Sequence, residues 1–376
     1  MKIALVVHDA LRGVGHGRYV VELANALSLA DEVTVVANRF DPELAEAVKR
    51  EKISAIRWNA LSSIFTFYAN SSRRLRQLQF DLVHAQGLTC AHAEVITAHI
   101  CNAARSNRSG HRLPLRNRLF PKLVVPAEKS FYQKNKNAAI IAISKVVAEE
   151  LKTHYSVQTS RVIYHGVDST RFHPPTLHER SAARLAFNLP TSGPVWLFMG
   201  EAIKGLDETF ALLATFPTAR LLVVTRSDAR FYRSHAKSLG IADRVFWAGP
   251  LSNPERAFHA ADLFIYPSSY DAFGMVVSEA MASGLPTLVG AGIGAAEWIK
   301  NRINGFVLPI ESSEKWHLVL QELHEKTEFA AEIGAAARMT AMEHSWAKCV
   351  EQTKAIYEAV SEINGKAQGS GKFPKQ

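Results

Sequence analysis

Two acids in the stretch SSYDAFGMVVSEAMASGLP, Asp271 and Glu279, stand with seven residues between them, the first just ahead of a Phe-Gly pair. If a helix opens at Phe273, the amides of Phe273, Gly274, Met275 and Val276 cluster as unpaired donors at its positive end, a ready seat for an anion. Asp271 then sits just outside that end. Glu279, nearly two turns in, lies on a flank where a ribose can present hydroxyls. Taken alone, the stretch also fits an ordinary helix, with Asp271 as a cap, Glu279 in solvent, and Met281, Ala282 and Leu285 packed inward. Lys204 lies in a glycine-flanked loop, FMGEAIKGLD, where one ammonium can neutralise a diphosphate. His99 closes the strand-like run EVITAHI, and His84 holds a weaker position in FDLVHAQG. Gly13, Gly15 and Gly17 precede a helical pattern, where backbone amides can approach a phosphate or sugar. They make a poor dinucleotide fingerprint, because they lie six residues past the strand and the second strand ends in Asn38 instead of a ribose-binding acid. No D-x-D pair occurs in the chain, so no metal site is expected. Lys204 and the helix-end amides are the metal-free substitute.

These residues need elements to hold them. The first half carries the apolar runs KIALVV, EVTVVA, FDLVHA, EVITAHI, AAIIAIS and RVIY, separated by helix-like segments. Such runs are apolar on both faces and read as buried parallel strands. The pattern pauses at HGVDSTRFHPPTLHE, where Pro174 and Pro175 mark a linker. It restarts with PVWLFMG, ARLLVV, RVFWA, DLFIYP, PTLVG and GFVLP. Two βαβ series predict an α/β fold of two Rossmann-like, doubly wound domains facing each other across a cleft. The expected boundaries are residues 1–170 and 171–343, a final helix over about 344–363 that can pack on either domain, and a disordered tail at 364–376. In such sheets ligands bind beyond the carboxyl ends of the strands, and the residues singled out above sit there.

Composition narrows the classes. Of 376 residues, 47% are hydrophobic and 21% charged, an ordinary globular balance for two domains. Cys90, Cys101 and Cys349 show no paired spacing, which fits a reducing compartment and argues against a metal–thiolate site. The apolar start of MKIALVVHDA ends at His8, too early for a secretory signal, and no window is long enough to span a membrane. The net charge of +9 is unevenly placed. Residues 101–136 hold nine basic residues (Arg105, Arg108, Arg112, Arg116, Arg118, Lys122, Lys129, Lys134, Lys136) against one acid, Glu128. Apolar pieces interleave them, as in LPLRNRLFPKLVV, so an anionic partner or a solvated face both fit. No nucleic-acid-binding motif accompanies the charge.

The chain resembles the retaining glycosyltransferases of the GT-B fold, family 4, over nearly its whole length. VIYHGVDSTRFHP is similar to that family's interdomain signature, with His165 in place of an Asn. AEKSFYQKNKNAAIIAISKVVAEEL is similar to its linker helix and following strand, and the segment from RVFWAGPL to NGFVLP to its E-x7-E region. The resemblance implies transfer of a hexose from a nucleotide-diphosphate sugar, UDP- or GDP-linked, to a glycan or lipid-linked acceptor. It needs no metal or other cofactor and serves cell-surface polysaccharide or lipopolysaccharide synthesis. By the same resemblance Asp271 contacts the donor sugar and Glu279 the ribose. The amides near Gly274–Val276 and Lys204 hold the diphosphate, and His99 lies beside the transferred sugar. Gly15 falls in a loop closing on the donor, and the base lies against the main chain at Ala248–Leu251, including Gly249, Pro250 and Leu251. The expected setting is cytoplasmic, with residues 101–136 on the inner face of the plasma membrane. Three departures stand out. The first motif acid is Asp where Glu is usual, Ile203 and Glu201 leave the donor loop without its Arg, and a Gly-Gly pair appears as Val14-Gly15. They keep open a catalytically silent nucleotide-sugar-binding subunit, and a sugar-nucleotide epimerase on the same fold is the other alternative.

Overall fold

A computed structural model describes residues 1–109 and 119–369, the side chains of 107–109 and 364–369 excepted. These residues divide into two compact units, Met1–His165 with Trp346 onward, and Gly166–Ser345. In chain order the strands of the first are β1 Lys2–Val6, β2 Asp9–Ala10, β3 Glu32–Ala37, β4 Arg39–Phe40, β5 Lys49–Lys52, β6 Leu82–Gln86, β7 Val95–Ala98, β8 Ala139–Ala142 and β9 Arg161–Val162. Seven of them form a parallel sheet ordered β5-β3-β1-β6-β7-β8-β9, and β2 pairs with β4 beside it. The second unit contributes β10 Val195–Met199, β11 Arg220–Val224, β12 Val245–Trp247, β13 Leu263–Tyr266, β14 Thr287–Gly290 and β15 Phe306–Leu308. Its parallel sheet is ordered β12-β11-β10-β13-β14-β15. In both sheets the order turns back, between β1 and β6 and between β10 and β13. Ligands of doubly wound sheets lie beyond the carboxyl ends at that reversal.

Every apolar run quoted above contains all or most of one of these strands. Helices cover both faces of a parallel sheet, so its central strands can afford no alternation: Ile3 through Val6 and Trp196 through Phe198 are wholly buried. Besides the two-residue β2 and β4, the strand missed by the apolar pattern is β5, which reads KREK. It is an edge strand, paired on one side through Thr34↔Lys49 to Ala37↔Lys52, and charge on an exposed edge discourages further pairing.

The last helix, Trp346–Gly369, packs on the helix Gly15–Leu27 of the first unit. Cys349 and Tyr357 join Ile3, Leu5, Tyr19 and Val33 in one core. This helix runs past the boundary expected at 363, so the segment expected to be disordered is helical as far as Gly369. Lys366, Ala367 and Gln368 are good helix formers, and adding a turn to a formed helix is easy. Residues 370–376 lie outside the described chain.

His84 is a core residue. It is fully buried, its Nδ1 lies 2.7 Å from the Tyr357 hydroxyl and its Nε2 2.7 Å from Thr97 Oγ1. In the basic segment, helices Asn102–Ser109 and Leu119–Lys134 are described. Arg112, Arg116 and Arg118 lie outside the described residues, as does the side chain of Arg108. Glu128, the segment's one acid, is 3% exposed and accepts from Asn102 N at 2.9 Å, Asn102 Nδ2 at 3.1 Å and the Tyr155 hydroxyl at 2.6 Å. It tethers the start of the preceding helix, leaving Lys122, Lys129, Lys134 and Lys136 exposed around it.

Candidate functional site

In the second unit the reversal point brings two loops together. β10 runs into Gly200–Gly205 and β13 into Pro267–Asp271. At Gly205 they touch backbone to backbone, since a Cβ there, where φ is +108°, would lie 2.5 Å from the Pro267 carbonyl oxygen; at Gly200 a Cβ would lie 3.1 Å from the Tyr266 ring. This contact delivers Lys204 to Asp271, Nζ donating to Oδ2 at 2.7 Å. The Tyr266 hydroxyl donates to the same oxygen at 3.0 Å. Burial, reinforced by the neighbouring Asp271, pushes the Tyr266 phenol well above its ordinary range, so it remains a neutral donor. The backbone of Asp271 is pinned from the other side, its N–H to Gly292 O and its carbonyl to Gly294 N, both at 3.0 Å. Tyr266 carries no motif of its own. It is placed as the last residue of a strand at the reversal point.

The helix following Asp271 is Met275–Ala282, opening two residues later than Phe273. Gly274 is its N-cap at φ +83°, because a side chain there would press a Cβ to 2.8 Å from Ile293 Cγ2. Phe273 therefore falls outside the helix-end donor set, and its carbonyl accepts from Ala295 N at 2.7 Å. Val277 N bonds back to Gly274 O at 2.9 Å, which leaves Gly274, Met275 and Val276 as the amides aimed out of the helix start. Glu279 is 5% exposed, a buried carboxylate rather than a surface one. Gly249, at φ +63°, begins the turn Gly249-Pro250-Leu251 after the edge strand β12, two strands from β10. Among the described residues no group of three or more His, Cys, Asp or Glu is arranged to hold a metal ion.

In the first unit His99 follows β7, its Nε2 2.8 Å from Gln86 Oε1 at the end of β6. Its ring lies 5.3 Å from that of Tyr19, 5.4 Å from His165 and 6.0 Å from His16. Burial, with the imidazoles of His165, His16 and His84 around it, holds His99 well below the usual histidine range. Burial likewise holds His165 at about 3. His99 is thus a neutral imidazole. With Gln86 accepting, its proton sits on Nε2 and Nδ1 is a bare acceptor, buried and with no hydrogen-bond partner among the described residues. Gln86 was not singled out by sequence, since a glutamine ending an apolar strand carries no signal of its own. Gly15 opens the helix Gly15–Leu27 instead of lying in a loop ahead of it, and Gly17 is in its first turn. A Cβ at Gly17 would meet the Leu11 and Asp9 carbonyl oxygens at 2.5 and 2.6 Å, so this glycine serves close helix packing.

Two family models match the chain, Glycosyltransferase Family 4 over residues 14–171 and Glycosyl transferases group 1 over 184–340. The chain belongs to glycosyltransferase family 4. The D-inositol 3-phosphate glycosyltransferase of Jonesia denitrificans is 29% identical over 241 residues, 59% of this chain. The chain spans only 57% of that relative's length. Among solved structures, WaaG, a glycosyltransferase involved in lipopolysaccharide biosynthesis, superposes with a TM-score of 0.79 at 19% identity, covering 93% of this chain and 98% of WaaG. HepE of Anabaena in complex with UDP-glucose gives 0.75 at 18% identity, covering 96% and 100%. These likenesses establish the GT-B fold for this family 4 chain. Within it, the first motif acid is held by a lysine and a tyrosine, and the second is buried in the helix behind it.

Proposed function

We propose that this chain is a retaining glycosyltransferase that moves a hexose from a nucleotide-diphosphate sugar, UDP- or GDP-linked, to a glycan or lipid-linked acceptor in cell-surface polysaccharide or lipopolysaccharide synthesis. The observation that carries the reading is the Lys204–Asp271–Tyr266 cluster at the reversal of the second sheet, followed directly by a helix start. Breaking the bond between sugar and diphosphate leaves negative charge on the diphosphate. An ammonium and helix-end amides are the groups that stabilise such charge without a metal. Asp271 holds Lys204. A diphosphate arriving there competes for the ammonium and releases a carboxylate oxygen to a sugar hydroxyl. HepE, which shares the fold, was solved with UDP-glucose, and WaaG acts in lipopolysaccharide synthesis, which supports both the donor class and the setting.

On this reading the acceptor is met at an anionic membrane face, and the exposed cations of the described part of residues 101–136 support it. Lys122, Lys129, Lys134 and Lys136 are exposed, with Leu119 54% and Leu123 46% exposed among them. Each cation near such a surface contributes about 1 kcal/mol. Among the described residues no helix is long and apolar enough to cross a membrane. A second reading, a silent subunit that binds nucleotide sugar, draws on Ile203, 83% exposed in the loop where the family usually has an Arg. Calorimetry and turnover with UDP, GDP and their hexose conjugates, in excess EDTA, test the proposal. One nucleotide is expected to bind and its sugar to be transferred with EDTA present. Binding without transfer to any acceptor or to water favours the silent subunit. Transfer abolished by EDTA and restored by magnesium removes the metal-free step, and no nucleotide binding removes the proposal.

A further inference from the structure

The carboxyl ends of three adjacent strands in the first unit, β5, β3 and β1, converge on Asp9. Its pairing in β2 sets it opposite Arg39 in β4. Arg39 grips it with both ends of its fork, Nε to Oδ1 and Nη2 to Oδ2, each at 2.9 Å. His8 Nδ1 lies 3.1 Å from Oδ2 and is itself held by Ser63 Oγ at 2.8 Å from its Nε2. Asp9 is 8% exposed, so one arginine already matches a nearly buried carboxylate. A second arrives nevertheless. Arg57, from the loop after β5, reaches Asp9 Oδ1 with Nη1 at 3.5 Å. The side chains of Arg39 and Arg57 stay 48% and 44% exposed.

Two guanidiniums on one carboxylate leave a positive charge that no other acid among the described residues meets. Of the Arg57 nitrogens only Nη1 has a hydrogen-bond partner among the described residues, and a planar fork of this kind matches a phosphate. Trp58, the next residue, is 88% exposed, although a large aromatic ring is ordinarily covered. It offers flat apolar area at small cost in side-chain entropy. The helix Ala60–Leu75 begins immediately after, its positive end at the same place.

We infer that Arg57 and Arg39, steadied by Asp9, with the exposed face of Trp58, form a site for a phosphate-bearing sugar on the first unit, and that this phosphate belongs to the acceptor. The identification as acceptor rests on the function proposed above, whereas the anion site itself does not. Arg57 is the residue to change, because removing Arg39 strands a buried carboxylate. Binding of glucose, glucose 1-phosphate, glucose 6-phosphate and inorganic phosphate to the full chain is measured with the nucleotide site filled by saturating UDP or GDP, whichever binds. The sugar phosphates are expected to bind roughly tenfold or more tighter than glucose. Arg57→Gln is expected to abolish that preference, and Arg57→Lys to restore part of it. Trp58→Ala should weaken glucose and its phosphates together and leave inorganic phosphate unchanged. A parallel arm compares phosphatidylglycerol with phosphatidylcholine vesicles. Arg57-dependent binding confined to the anionic vesicles names a lipid phosphate as the source, and binding of the soluble esters names a glycan phosphate. Sugar phosphates bound no better than glucose, with vesicle binding indifferent to Arg57→Gln, overturns the inference, as does a phosphate preference that survives Arg57→Gln. Nucleotide affinity of the same variants tells a failure here from a failure of the donor reading.

Discussion

Asp271 has one methylene fewer than the glutamate usual at its position, about 1.5 Å of reach. Its position is fixed from two sides. The backbone is tied to Gly292 and Gly294, and the carboxylate is aimed by Lys204 and Tyr266. If Asp271 serves the sugar and Glu279 the nucleotide, their amides separate the two duties. Asp271→Asn is expected to lower turnover with the sugar nucleotide by roughly 10- to 150-fold, the value of one charged hydrogen bond. Affinity for the bare nucleoside diphosphate should hold or rise, because Lys204 loses its internal partner. Glu279→Gln should weaken both. Calorimetry with the diphosphate beside kinetics with the sugar nucleotide decides it, and equal losses of diphosphate affinity in the two variants refute the division. At this scale the chain announces its charged residues well. Asp271 and Lys204 stand after strands in loops that only a folded sheet brings together. Tyr266 and Gln86 stay silent, because each is a strand's final residue and acts only through a partner the sheet order supplies.

Among the elements, the junction of the two loops at the sheet reversal is the part least able to yield. Gly205 and Gly240 both have left-handed backbone, φ +108° and +67°. A Cβ at Gly240 meets nothing within 4 Å, whereas one at Gly205 meets Pro267 O at 2.5 Å and its carbonyl carbon at 2.7 Å. Gly240→Ala should cost only the backbone penalty, about 1–2 kcal/mol. Gly205→Ala adds displacement of a rigid neighbouring strand end and should cost at least about 1 kcal/mol more. Urea unfolding of the two variants measures the difference, and equal losses would show that the loops can part freely. The strands were legible because parallel sheets bury both faces and so write themselves as unbroken apolar runs. β5 was not, because an edge strand answers to a different requirement. Glu128 was legible only as a charge. That it tethers a helix start depends on Asn102 and Tyr155, which approach it from other elements.

For the molecule as a whole, the buried imidazoles set a response to acid. Burial holds His84 and His165 at about 3, and His99 and His16 also lie below the ordinary value of 6.5. Their neutral forms are the folded forms. The unfolded chain takes up protons below about pH 6.5 and the folded chain does not, so stability is complete above that pH and is lost as pH falls toward 3. Between pH 7.5 and 5.5, His84 and His165 together should account for about 3 kcal/mol. His165→Asn, which restores the residue usual in the family signature, should remove about half of that slope. Urea midpoints at the two pH values test it, and an unchanged slope would place the proton uptake elsewhere.

The first unit is discontinuous along the chain. It stops at His165 and resumes at Trp346, and the intervening unit begins and ends at one place, where Val167 N bonds to His344 O at 2.9 Å. This imposes a schedule on synthesis. When β1 through β9 have left the ribosome, His84 still lacks Tyr357, Tyr19 lacks Thr353, and the core lacks Cys349. None of these arrives until the whole second unit has been made. The half made first is therefore the half completed last, and it must wait with an open flank of apolar side chains while its neighbour, continuous in sequence, folds ahead of it.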